Sequence, residues 1–367
     1  MEIRPYTPDL ETPVRALNER LRAGGEQEWR FPESHRPRFP KVNGRNPYQE
    51  LFVVVHHGEV HGGYIVTHSR FALRNEIVSV ACGPQLNISE GLVNQFYSMV
   101  GVMQVQDILQ RQPLSYALGI GGLQTGQAKL LSAMGWTLFP VALLGRIISS
   151  SNFLTNLEYL RHRPGFGFAL ELLRGSGLGT LGIRLAQARM PVSNSFVCSE
   201  RVSEFGQWAD TIWEQCRTKY SLVGVRDRDT LNVLYPPSDS RFIRLKISRS
   251  GDVLGWAVML HSKLSDHRYF GNMHVGSIVD CLASPENAYP IVACASRFLQ
   301  DRGVDMIVSN QASDAWCKAL SAAGFLKGPS NFILGLSPKL TEKVAPLERT
   351  RPGIHMNRGD GEGPTIL

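Results

Sequence analysis

Gly58-Glu59-Val60-His61-Gly62, followed by His68-Ser69, returns later in the same chain as Gly251-Asp252-Val253-Leu254-Gly255, followed by His261-Ser262. A second pair keeps the same order and nearly the same separation. Ala128-Lys129-Leu130-Leu131-Ser132-Ala133-Met134-Gly135-Trp136 is echoed by Cys317-Lys318-Ala319-Leu320-Ser321-Ala322-Ala323-Gly324-Phe325. Two ordered matches imply two copies of one domain. The repeat is far longer than the roughly 20 to 50 residues of a solenoid unit, so it reads as a duplicated globular domain. A chain of 367 residues has room for two such domains. The predicted boundaries are 1–148 for the first copy, 149–190 for a basic amphipathic linker, 191–338 for the second copy and 339–367 for an extended tail, with His355 to Asp360 as the stretch that could pin the tail to the body.

Within each copy the periodicity places the elements. Val14, Leu17 and Leu21 share one helical face. Leu51 to Val55 is a β-branched run, His57-Gly58-Glu59 is turn chemistry, and Gly63 to Thr67 resumes extended structure, which together predict a β-hairpin. Phe242 to Ile247, the turn Ser250-Gly251-Asp252 and Gly255 to Leu260 predict the same hairpin in the second copy. Further on, Val304 to Ser309 reads as a buried strand running into Asn310. A helix through Ala315 to Ala322 ends at Gly324, and Phe332 to Leu334 is the next strand. Tyr116 to Ile120, Gln127 to Met134, Gly135 and Val141 to Leu144 are the matching elements of the first copy.

The formal charge of +7 favours encounters with anions such as nucleotides, acidic sugars or an anionic membrane face. No Lys/Arg-rich block and no zinc-finger spacing accompany it, so no DNA partner is expected, and RNA is not favoured. Residues 146–189 form the basic amphipathic stretch. They predict a helical linker or a segment that rests on an anionic membrane surface. The six cysteines contain no Cys-x-x-Cys pair and read as reduced thiols; no apolar run approaches the roughly 18 residues of a membrane span, and the start lacks signal-peptide patterning. A cytoplasmic protein is therefore expected.

The order of elements, with Gly-acid-Val-x-Gly in the hairpin and Gly135-Trp136 or Gly324-Phe325 closing the last helix, resembles the GNAT acyltransferase fold in both halves. Val225-Arg226-Asp227-Arg228-Asp229-Thr230-Leu231-Asn232, Gly276-Ser277-Ile278-Val279-Asp280 and Leu118-Gly119-Ile120-Gly121-Gly122 are similar to stretches of tandem GNAT-type proteins of bacterial exopolysaccharide synthesis. The resemblance implies an α/β fold with α+β mixed sheets in two tandem GNAT-like domains. It also implies transfer of an acyl group, from acetyl-CoA or another acyl-CoA, to an amino sugar or related surface-polysaccharide intermediate. The family's Gly-x-Gly pyrophosphate loop is absent where it would fall: the chain reads Cys281 to Asn287 in one copy and Gly83 to Gly91 in the other. Its single literal match, Arg174-Gly175-Ser176-Gly177-Leu178-Gly179, lies in the linker. The family's thiolate-protonating Tyr is replaced by Leu131 and Leu320.

Asp280 stands where the resemblance implies a base, and His261 and Glu90 are the other candidate catalytic residues. Asn310, with Ser309 and Ala283, stands where the donor would be held. Each has a structural alternative: a loop cap for Asp280, an N-cap for Asn310, a helix start for Ser89 and Glu90, and a shared structural origin for His68 and His261. Arg226 and Asp227 are expected to form an ion pair or cap, and Cys281 to be a small core residue. His56, His57 and His61 crowd a hairpin tip without implying a metal site. Two other functions fit the same sequence: a Fem-type transferase using an aminoacyl-tRNA, and a catalytically inactive binding module.

Overall fold

The computed structural model describes residues 1–83, 87–156, 187, 197–267 and 270–361. The linker prediction for 149–190, the membrane-facing reading of 146–189 and the glycine run at 174–179 therefore lie largely or wholly outside the described residues. Along the chain the first elements are β1 (Glu2–Pro5), α1 (Glu11–Ala23), β2 (Tyr48–His56), β3 (Glu59–Leu73), β4 (Glu76–Cys82) and β5 (Ile88–Ser89). They are followed by α2 (Val100–Arg111), β6 (Ser115–Leu118), α3 (Gly126–Ala133), β7 (Thr137–Pro140), β8 (Ala142–Ile147) and α4 (Ser150–Asn156). The second half contributes β9 (Val197–Val202), α5 (Gln207–Cys216), β10 (Leu222–Gly224), α6 (Arg228–Leu234), β11 (Ile243–Arg249), β12 (Asp252–Lys263) and β13 (His274–Ala283). It closes with α7 (Ala288–Gln300), β14 (Met306–Gln311), α8 (Asp314–Ala322), β15 (Leu326–Gly328), β16 (Ile333–Leu336), α9 (Pro338–Val344), α10 (Leu347–Thr350) and β17 (Ile354–His355).

Two mixed sheets result. One runs β1-β2-β3-β4-β6-β16-β7 and the other β9-β11-β12-β13-β14-β8-β15. In each, one central pair is parallel, β4 with β6 and β13 with β14, and every other neighbour along the path is antiparallel. The strand orders correspond position by position, as the sequence repeat requires. The hairpins correspond in detail. His57 and Gly58, like Ser250 and Gly251, all have positive φ, the geometry of a two-residue hairpin turn that matches the twist of its strands. Each hairpin also carries a bulge one turn further on, at His61 between the pairs Val54↔Gly62 and Val55↔Val60, and at Leu254 between Ile247↔Gly255 and Ser248↔Val253.

The glycine after each bulge is there for space. A Cβ on Gly62 would stand 2.7 Å from the Ile88 carbonyl oxygen and 2.6 Å from Val100, and one on Gly255 would strike the Leu282 carbonyl and Ala283. Behind the sheets, α1 presents Val14, Leu17 and Leu21, all fully buried, to Tyr6, Phe31, Val53 and Ile88. Burial of each such side chain is worth about 1.5–3 kcal/mol. Helix α7 does the same in the second half with Ile291, Val292, Ala295 and Leu299.

The division of the chain differs from the predicted boundaries. One unit comprises Met1–Pro140 with Asn331–Thr350, the other Val141–Ser330 with Arg351–Leu367. β8 is the last strand of the first copy in sequence but lies between β14 and β15, while β16 is the last strand of the second copy but lies between β6 and β7. The last strand of each copy thus completes the sheet of the other. Nor is the tail extended from 339 onward. Pro338–Val344 and Leu347–Thr350 are helical, and Ser337 caps the first of them by accepting from the Leu340 amide at 3.3 Å. Among the described residues no helix is long and apolar enough to cross a membrane.

Candidate active site

In the second unit β13 is paired with β12 from Lys263↔His274 to Gly255↔Ala283, with a bulge at Val279 that re-aims the strand just before Asp280. Its parallel pairing with β14 runs from Val275↔Met306 to Ile278↔Ser309. Past that point the chain's own residues 354–360 take up the groups of both strand ends. Gln311 bridges to Asn357, the Ala312 amide donates to the Met356 carbonyl at 2.9 Å, and His355 Nε2 lies 2.8 Å from the Cys281 carbonyl oxygen. This segment, the strap, is buried throughout.

The strap is held by charge as well as by backbone. Asp280, with no exposure at all, receives Arg226 Nε at 2.8 Å and the Tyr235 hydroxyl at 2.7 Å on Oδ2, and Asn357 Nδ2 and the Cys281 amide at 2.9 Å each on Oδ1. Arg226 Nη2 also donates to Asp360 Oδ1 at 2.6 Å, and the Asn357 amide donates to Asp360 Oδ2 at 2.9 Å. Burial opposes the Arg226 charge, but Asp280 and Asp360 outweigh it and raise the guanidinium above its ordinary value. Burial, reinforced by Asp280, raises the Tyr235 hydroxyl well above its own. His355 stacks against Tyr220 (4.7 Å) and Trp316 (5.5 Å), and burial pushes it down to about 4, so it is neutral. A neutral ring whose Nε2 faces a carbonyl carries its proton there.

Asp280 therefore sits where the sequence placed it, at the end of the bulged strand. All its strong acceptor directions are occupied from within the chain, which is the geometry of an anchor; a base would need one of them released. Arg226 is the expected ion-pair residue, with partners the sequence did not indicate. Asp227 is the expected cap, accepting from the Thr230 amide at 2.8 Å. Ser309 donates to the Ile278 carbonyl at 3.1 Å and Ala283 is fully buried, its carbonyl accepting from Tyr220 at 2.7 Å. Asn310 is 5 % exposed on β14 and its side chain makes no hydrogen bond among the described residues. His261 pairs with Gly276, three positions along β12 from Val258, the partner of Asp280. At about 3.3 Å per residue that is about 10 Å away. Its ring is 3.3 Å from His274, and burial followed by His274 lowers its pKa.

Glu90 belongs to a separate cluster in the first unit. It is 4 % exposed and accepts from Arg20 Nη2 at 2.9 Å, Arg20 Nε at 3.1 Å and His61 Nδ1 at 2.8 Å, while His61 stacks on Tyr97 at 3.8 Å. Burial alone would raise this carboxyl, but the bonds from Arg20 and His61 outweigh it and hold the pKa below the usual value. Ser89 caps the short turn Glu90–Leu92, as its sequence position suggested. Cys281 is buried, and burial pushes its thiol well above the usual range, the surroundings of the small core residue expected from the sequence. No group of His, Cys, Asp and Glu suited to a metal ion occurs among the described residues.

No family model matches the chain, and no curated protein matches its sequence. Solved structures do match its fold. Saccharomyces cerevisiae N-myristoyltransferase with bound myristoyl-CoA is 8 % identical, with 92 % of this chain and 78 % of that one covered at a TM-score of 0.51. A GCN5-related N-acetyltransferase from Anabaena variabilis ATCC 29413 is also 8 % identical, with 91 % and 72 % covered at 0.52. The fold is that of two tandem GNAT-like domains in mixed α/β sheets, shared with N-acyltransferases.

Proposed function

We propose that this chain is an N-acyltransferase that takes its acyl group from acetyl-CoA or a longer acyl-CoA, and that it holds the donor in its first copy. The observation that carries the placement is the strap: in the second copy, residues 354–360 already bind the Cys281 carbonyl and the Ala312 amide at the parting of the two parallel strands. A pantetheine arm would need that same hydrogen-bonding edge. The first copy supports the assignment from its own side. Its connection from β5 to α2 exposes Leu92, Phe96 and Met99, at 59 %, 70 % and 56 %, where the second copy has only the short turn Ser284 to Asn287. Large apolar side chains left exposed along one connection suit an acyl or pantetheine chain.

In the reaction the acceptor amine nitrogen bonds to the acyl carbon, the carbon–sulfur bond breaks, and one amine proton ends on the departing thiolate, giving the amide and the CoA thiol. For the acceptor we retain an amino sugar or related surface-polysaccharide intermediate, supported by the resemblance of residues 118–122, 225–232 and 276–280. The filled cleft also favours reading the second copy as a non-catalytic binding module.

Calorimetric titration with acetyl-CoA and a long-chain acyl-CoA, on the wild type and on Asn310→Ala, tests this. Micromolar binding unaffected by the substitution is expected. Binding weakened by it would move the donor to the second copy. No binding at millimolar CoA would remove the acyl-CoA donor and leave the aminoacyl-tRNA and binding-module functions.

A further inference from the structure

Three arginines are buried among the described residues, and two of them are saturated. Arg226 is clamped by Asp280 and Asp360. Arg244 gives Nε and Nη2 to the Tyr235 carbonyl at 3.2 and 3.1 Å, Nη1 to that of Phe242 at 3.1 Å, and Nη2 also to that of Pro236. Arg358, on the strap and 8 % exposed, differs from both. Its Nε is sealed from solvent with no hydrogen-bond partner, and no carboxylate lies within ion-pair distance among the described residues. Burial pushes its pKa down, to about 10, and among the described residues no neighbouring charge holds it up. It remains a cation at neutral pH. The neighbouring strap side chains are committed elsewhere: His355 to Cys281, Asn357 to Asp280 and Asp360 to Arg226.

A buried guanidinium without a counter-charge is costly, and it cannot escape by losing its proton. Its planar fork matches the two oxygens of a carboxylate or phosphate. We propose that Arg358 is half of an ion pair whose other half is a ligand, so that the second copy binds a small oxyanion, a carboxylate or a phosphate, through this side chain. With an anion bound, the strap's last buried charge is neutralised. This site stands whether or not the donor lies in the first copy.

Thermal unfolding of the full chain in inorganic phosphate, in acetate and in chloride of equal ionic strength, for wild type, Arg358→Met and Arg358→Lys, tests it. The wild type should gain about 3 °C at tenfold the dissociation constant of the preferred oxyanion, and nothing specific from chloride. Arg358→Met should lose that response while melting no lower than the ligand-free wild type, since it removes an unpaired buried charge. Arg358→Lys should retain part of it. A response to phosphate alone or to acetate alone identifies which oxyanion is the ligand. The proposal is overturned if neither oxyanion exceeds chloride, if Arg358→Met responds as the wild type does, or if Arg358→Met melts well below the ligand-free wild type, which would mean that the arginine already has a partner within the chain.

Discussion

The two copies share a backbone plan and spend their buried carboxylates differently. In the first, Glu90 is held by Arg20, which is about one-third exposed, and by His61 from the hairpin bulge. In the second, the bulge position carries the apolar Leu254, and the buried charge sits at Asp280, sealed with Arg226 and Asp360. The first arrangement ties a helix to a hairpin and stays open to water on one side. The second clamps a returning segment of chain into the parting of two strands. Duplication supplied two equivalent frames, and divergence filled one of them.

Removing the clamp should produce the largest effect. Arg226→Met leaves Asp280 and Asp360 buried without their cation, for an expected loss of about 3–5 kcal/mol in urea denaturation. Arg20→Met should cost less, because His61 still donates to Glu90. Equal losses would erase the contrast between a sealed and a half-open network.

Next comes pH. The folded-state pKa of His355 is near 4, against an unfolded value of 6.5, so the stability it contributes is fully present above pH 6.5 and is lost as pH falls toward 4. The difference corresponds to about 3 kcal/mol by pH 4. Denaturation at pH 7 and at pH 4.5 should show this slope in the wild type and a reduced one in His355→Gln, whose amide can still reach the Cys281 carbonyl. An unchanged slope would place the strap's histidine in water.

The smallest effect is expected for His61→Leu, which gives the first copy the bulge residue of the second. One charge-assisted bond to Glu90 is lost while Arg20 remains, for about 1 kcal/mol. A loss matching that of Arg226→Met would mean that the two networks carry equal weight.

Much of the frame was legible in the sequence. Gly58 and Gly251 mark turns that need positive φ, and Gly62 and Gly255 mark close approaches, so the repeat carried its own geometry. Helices read from Val14, Leu17 and Leu21, and from Ala315 to Ala322, lie where expected. The exchange of β8 and β16 was not legible. A short apolar run such as Ala142–Ile147 encodes extended structure and burial but not which sheet it completes. The site was half legible. Asp280 stood out through its place after a β-branched run, and Arg226 as a charge expected to be paired, but the partnership between them spans the chain and leaves no local signal. Tyr235, Asn357 and Asp360 were missed individually. The polar run Asn357-Arg358-Gly359-Asp360, inside the stretch expected to pin the tail, was the one hint available.

The account rests on the strap keeping the second copy's cleft while the first copy takes the donor. Hydrogen–deuterium exchange of the full chain with and without acyl-CoA reads both at once. Donor binding should protect amides in the connection from β5 to α2, 90–99, and leave 278–284 and 354–360 unchanged. Faster exchange in 354–360 together with protection in 278–284 would show the donor displacing the strap, and would contradict the account.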